Sequence, residues 1–251
     1  MTPDRILRSL IVCFGLAVMT LPVQAADLSP EMRGQIEAVV KSYLLKNPEI
    51  IRDASAVLAA REEAEKAAAV AKALAGSREA LERDPGSPVG GNPRGDVTVV
   101  EFFDYNCGYC KRVAPSVTAL VAADRGVRLV YKEFPILGPT SLLGAKAALA
   151  AQRQGKYVAF HEALFELPEI SDATLKDLSG RLGLDHARLV KDMQDPAIAA
   201  QIARDHELAR SLDINGTPGF VIGNRLIPGA VETAVLQQIV NEERAAAKAR
   251  K

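Results

Sequence analysis

Apolar and polar positions change period several times along this chain, and each change predicts an element. From Pro30 onward, Met32, Ile36, Val39, Val40, Tyr43 and Leu44 recur at steps of three and four, the period of a helix. Asn47-Pro48 reads as an N-cap and first-turn proline that open a second helix running to about Arg83. Its apolar stripe of Ile51, Ala54, Val57 and Leu58 is narrow, with Arg61, Glu62, Glu63, Glu65 and Lys66 on the wet side. A stripe that narrow, on a segment with no sheet of its own, cannot make a monomeric core. The segment is then a solvated spacer, a processed leader, or, the preferred reading, a seam for self-association over residues 30–83.

Asp84 to Gly95 holds three prolines and four glycines and marks a boundary between a helical extension, 26–84, and a domain, 85–251. Within that domain Val97 to Phe103 has the β-branched and aromatic content of a buried strand, and Lys111 to Ala123 carries apolar residues at helical spacing. Val127 to Phe134 alternates as a strand that Pro135 stops. An alanine- and leucine-rich block follows, broken at Pro168, Gly183 and Pro196, which predicts several short helices inserted over about 138–212. Phe220–Ile222 and Arg225–Ile227 flank the turn pair Gly223-Asn224 as a hairpin, and Val231 begins a closing helix. The predicted class is α/β.

The first residues have a different character. Arg5 and Arg8 precede the apolar run Leu10 to Leu21, and Val23-Gln24-Ala25 supplies a small-x-small cleavage pattern. Residues 1–25 therefore read as a signal peptide cut after Ala25, with export to the periplasm; the run is shorter than the ~20 residues that span a bilayer. Lysine plus arginine balance aspartate plus glutamate at 31 each, so no global charge steers the chain to nucleic acid. Cys13 leaves with the signal. The mature chain keeps two cysteines, Cys107 and Cys110.

A structural bridge across two intervening residues would constrain the unfolded chain little. His161, His186 and His206 make no partner set that would complete a zinc site, so neither metal nor cofactor is expected. Redox chemistry suits the spacing. At the junction of a strand and a helix, a cysteine meets unpaired N–H groups and the positive end of the helix dipole, which favour thiolate; such thiols titrate at roughly 3.5 to 7.5. Cys107, at the helix entrance, is the expected nucleophile, and Cys110, one turn in, the resolving thiol. Glu101 stands in a run of Val, Val, Phe and Phe where an ionised carboxylate is costly to bury; the alternative to burial is that strand alternation turns it to solvent. His161 reads as a core or surface histidine on a helix of the insertion.

Three separated motifs, Glu-Phe-Phe-x-x-x-Cys-x-x-Cys, Tyr-Lys-Glu-Phe-Pro and Gly-Thr-Pro before a strand, resemble the DsbA family of thioredoxin-fold thiol–disulfide oxidoreductases over about residues 85–245. The resemblance implies a thioredoxin fold with an inserted helical subdomain and a cis Pro218 beside the cysteines. It also implies that the Thr217 backbone turns toward the thiols and the substrate peptide, with Gly108 and Tyr109 as further substrate contacts. The family's buried acid falls on Glu101, which would exchange a proton with Cys110. Gly-Tyr between the cysteines replaces the Pro-His of strongly oxidising members, and threonine replaces valine before Pro218. Both departures are more like the disulfide isomerase DsbC, and the helical extension is similar to ScsC and its relatives, some of which self-associate through it. The resemblance implies cysteine-containing protein substrates and a DsbD-like membrane reductase, or a DsbB-like oxidase if the protein is an oxidase. Isomerase or reductase is favoured over dithiol oxidase; a client-binding chaperone with incidental cysteines is the rival of another class.

Overall fold

The computed structural model describes residues 29–249, so the expected signal segment and Cys13 lie outside the described residues. Two compact units divide between Ala59 and Ala60. In the first, α1 (Pro30–Lys46) starts on Ser29, whose side chain accepts from the Met32 N–H, with Pro30 in the first turn where no donor is lost. Asn47 closes this helix instead of opening the next one: its backbone N–H and its Nδ2 both donate to Tyr43 O, each at 2.9 Å. The apolar positions of this unit stay exposed, Val39 at 68% and Leu45 at 74%.

The second helix, α2 (Glu49–Gly76), ends short of Arg83 because Gly76 and Ser77 break it, and a separate turn, α3 (Arg78–Glu82), follows. Leu74 and Leu81 are fully buried in the second unit, together with Phe102, Val130 and Val221 of its sheet. The packed unit thus begins well before the 84/85 boundary read from the prolines and glycines.

That sheet has five strands in the order β1-β3-β2-β4-β5. β2 (Val97–Phe103) runs parallel to β3 (Val127–Glu133), and the crossover between them is α4 (Gly108–Ala123). β4 (Gly219–Ile222) pairs antiparallel with β2, and β5 (Arg225–Pro228) with β4 through a turn in which Gly223 holds φ +59°, the glycine position of a II′ turn. β1 (Val89–Gly91) lies inside the stretch read as linker and pairs antiparallel with β3; three residues with two glycines give no strand pattern. The insertion is five helices, α5 (Pro139–Gln152), α6 (Tyr157–Glu166), α7 (Asp172–Arg181), α8 (His186–Met193) and α9 (Pro196–Ser211), and α10 (Thr233–Ala249) closes the chain.

Helices cover both faces of the sheet. Val99, Phe103, Leu129, Tyr131 and Phe220 pack beneath α4, α5, α6 and α10, whereas Val100, Phe102, Val130 and Val221 pack on α3, α9 and the end of α2. Each fully buried side chain of this size stabilises the fold by roughly 1.5–3 kcal/mol. Because neither face is wet, the alternation that would have sent Glu101 to solvent sends it into the core, along with Lys132 and Glu133 of β3.

Candidate active site

The turn that leads from β2 into α4 is held by Asp104, whose buried carboxylate accepts from Asn106 N (2.8 Å), Ile136 N (2.8 Å) and Leu137 N (2.9 Å). Asn106 Nδ2 donates to Thr140 Oγ1 and Ser141 Oγ, tying the turn to the start of α5. Cys107 is then the N-cap of α4, with extended backbone (φ −75°, ψ 116°), and Cys110 sits one turn inside. Both are thiols here. Cys107 is 6% exposed and Cys110 is sealed at 0%.

The Cys107 thiol donates to Thr217 O at 3.3 Å, and the Thr217–Pro218 peptide is cis. The two cysteines are electrostatically unlike. Burial pushes the Cys107 thiol up, but hydrogen bonding by the Thr217 side chain and by the backbone of Cys110 and Tyr109 outweighs it and leaves the pKa below the ordinary value. Burial pushes Cys110 far up, and the neighbouring charges of Cys107 and Glu101 add to that. Tyr109, between them, is 60% exposed, and Arg112 Cζ stacks 4.3 Å from its ring centre. Gly108 is the first residue of α4, with open space where a Cβ would stand.

Glu101 lies in register between Tyr131 and Phe220, accepts no hydrogen bond among the described residues, and has its pKa pushed up to about 8 by burial. Its carboxyl borders a cavity of about 70 Å³ shared with Tyr131 and His161, and the exposed Thr118 and Glu162 stand at the rim. Sequence reasoning missed the polar cluster next to it. Glu133 Oε1 accepts from Tyr157 (2.7 Å) and Tyr105 (3.1 Å), and Tyr105 Oη lies 3.0 Å from His161 Nδ1. The signal was present: Leu129, Tyr131 and Glu133 alternate in phase, so a buried Tyr131 carries Glu133 inward with it. Among the described residues no group of three or more His, Cys, Asp or Glu side chains converges to hold a metal ion.

Comparison with known proteins places this geometry. The model of the DSBA-like thioredoxin domain matches residues 98–241, and that of the copper resistance protein ScsC N-terminal domain matches residues 33–65. The crystal structure of a thioredoxin-like oxidoreductase from Silicibacter pomeroyi DSS-3 is 50% identical, with a TM-score of 0.65 over 67% of this chain and 98% of that one. A linker-deletion mutant of Proteus mirabilis ScsC is 28% identical, with a TM-score of 0.67 over 89% of this chain and 100% of that one. A curated relative, the Na(+)/H(+) antiporter NhaA 3 of Salinispora tropica, is 32% identical over 157 residues, 61% of this chain and 24% of the antiporter. The chain thus spans about a quarter of the length of such curated relatives. The first of the two matched segments runs from β2 into α10 and takes in both thiols, the insertion and the cis peptide, and by it the chain belongs to the family of DsbA-like thioredoxin domains.

Proposed function

We propose that the protein is an exported thiol–disulfide oxidoreductase acting on cysteine-containing proteins, working as a disulfide isomerase or reductase. The observation that carries this reading is the opposite environment of the two thiols: Cys107 at a helix N-terminus with its pKa lowered, Cys110 sealed with its pKa raised. Cys107 thiolate attacks a substrate disulfide, forming one S–S bond as the other substrate sulfur leaves as a thiolate and takes up a proton. A substrate thiolate then displaces Cys107 to complete isomerisation. Alternatively the Cys110 thiolate attacks the Cys107 sulfur of the mixed disulfide, expelling the substrate sulfur as a thiolate that takes up a proton and closing the Cys107–Cys110 disulfide. For the second route Cys110 must lose a proton, and the Glu101 carboxylate is the buried base beside it. Thr217 and the exposed Tyr109 offer the extended substrate peptide a backbone edge and an aromatic surface.

Iodoacetamide labelling near pH 6 tests the assignment: Cys107 is expected to react much faster than Cys110. Equal labelling, or faster labelling of Cys110, overturns it. Cys107→Ser is expected to abolish turnover, whereas a client-binding chaperone would keep its function. The direction follows from the state of the pair in cells. Cysteines resting reduced fit an isomerase fed by a DsbD-like reductase; cysteines resting oxidised fit an oxidase recharged by a DsbB-like partner.

Self-association through residues 30–83 belongs to the same reading, supported by the exposed Met32, Ile36, Val39, Val40 and Tyr43 of α1. Several catalytic domains on one assembly would hold a client at up to roughly millimolar effective concentration. Truncation must stop at Ala59, since Leu74 and Leu81 belong to the core. Removing residues 26–59 is expected to give a monomer with simple dithiol exchange and little refolding of scrambled ribonuclease. Light scattering and that assay check the two halves.

A further inference from the structure

The exchange described above uses Glu101 and leaves a second buried carboxyl, Glu133, without a role. Glu133 lies two residues beyond Tyr131 on the same strand face, and its two phenol donors come from different places: Tyr157 from α6, Tyr105 from the turn two residues before Cys107. α5 closes over Tyr105 at Gly144, where a Cβ would meet the Tyr105 ring at 3.1 Å. His161 is packed against the rings of Phe103, Tyr131 and Phe165 at centroid distances of 4.7, 4.6 and 4.9 Å. Burial draws its pKa down to about 3, so the ring is neutral and carries one N–H.

Burial pushes the Glu133 carboxyl well above its ordinary range, so it carries its own proton. With that proton on Oε2, Oε1 accepts both phenols and the one hydroxyl hydrogen of Tyr105 is spent on it. The Tyr105 oxygen, 3.0 Å from Nδ1, must then accept from Nδ1–H, which leaves Nε2 as a bare acceptor. His161 also borders the cavity of Glu101, whose 70 Å³ has room for at least one water at about 30 Å³ each. A water held there would accept from the Glu101 acid O–H and donate to Nε2. Among the described residues the other ionisable groups around Glu101 are Tyr131 from β3, Glu162 from α6 and Cys110 from α4, none of them a cation.

We propose that Glu133, Tyr105 and His161 are positioning residues for the thiol chemistry: they lock His161 as the Nδ1–H tautomer, so that the imidazole turns an acceptor toward the cavity and holds Glu101 in its acid form. The proposal rests on the reading that Glu101 exchanges a proton with Cys110. Breaking the chain frees His161 to carry Nε2–H, a donor that favours the carboxylate instead.

Nitrogen NMR of the full chain labelled in its histidine rings reads the tautomer without reference to Glu101. Nδ1–H at His161 is expected; Nε2–H, or a mixture of the two, overturns the network whether or not any variant folds. The pH midpoint for resolution of a mixed disulfide is then compared in Tyr105→Phe, which cuts the link to His161, and Tyr157→Phe, which removes the hydroxyl shared with Glu133 and Tyr105 but keeps the ring stacked 5.6 Å from His161. Tyr105→Phe is expected to lower the midpoint by about half to one pH unit, and Tyr157→Phe by less than half of that. Similar thermal destabilisation of both variants with an unmoved midpoint overturns the proposal in favour of a packing role. An unchanged pH profile in Glu101→Gln removes the exchange with Cys110 and with it the coupling proposed here, a failure distinct from a wrong tautomer.

Discussion

The two faces of the sheet bury ionisable side chains in opposite company. On the face that meets α4 and α6, Glu101 and Glu133 are enclosed with tyrosines, a neutral histidine and a thiol, and among the described residues no lysine or arginine is buried there. On the other face Lys132, fully buried, donates to Ala80 O (2.7 Å) and Ser87 Oγ (2.6 Å) and lies 3.4 Å from Asp205 and 3.7 Å from Asp84. A paired charge holds its place and fastens the α3 segment to the sheet. An acid with no cation changes charge at a modest cost when a proton is supplied or withdrawn, which is useful only next to groups that trade protons. The thiols stand on that face.

The largest expected effect comes from removing the lone acid. The folded-state pKa of Glu101, about 8, lies above its ordinary 4.5, so its contribution to stability is complete below 4.5 and is lost as pH rises through 8. Glu101→Gln is therefore expected to flatten the pH dependence of urea stability, with a relative gain of up to about 5 kcal/mol by pH ~9, while slowing mixed-disulfide resolution near neutrality. Parallel stability curves for the two proteins would show that the acid is not isolated as described.

Lys132→Met makes the opposite test. Breaking a buried pair costs about 3–5 kcal/mol, and the low end, about 3, is expected here because Asp205, which burial has already pushed up to about 7, can take a proton. The alkylation rate of Cys107 in the folded fraction should stay as it was; a change would mean that the two faces are coupled. The smallest effect should come from the rim, where Arg244 of α10 bonds Asp96 (2.7 Å) and Asp124 (3.0 Å), with Asp96 exposed and Arg244 and Asp124 reached by water only in part. Arg244→Ala is expected to cost about 1 kcal/mol or less, and less still in molar salt. A cost equal to that of Lys132→Met would erase the distinction between fully buried and partly exposed charge.

Much of this was legible beforehand where the chemistry is local. The β-branched and aromatic run Val97–Phe103, the C-x-x-C after it and the helical spacing that follows fix a thiol pair at a helix entrance, since cap, dipole and period act over a few residues. Gly223-Asn224 announced its hairpin for the same reason. Asn47-Pro48 was misread because an amide beside a proline suits either end of a helix, and only the bond back to Tyr43 O decides which. β1 was hidden because two of its three residues are glycines and its evidence is the partner strand.

What the sequence determined by itself, then, is the order of most elements and the placing of two thiols at a helix entrance, because those depend on neighbours along the chain. Only the tertiary structure decided the company each buried charge keeps. Glu101 and Lys132 read alike as polar residues in strands, and nothing within a strand says that both faces of the sheet will be covered. Covering one face with α6 brought Tyr157 to Glu133 and His161 to Tyr105, and covering the other with α9 brought Asp205 to Lys132, contacts between residues 24 to 73 positions apart. Burial makes those distant partners matter, because a charge removed from water answers to whatever group lies within a few ångströms of it.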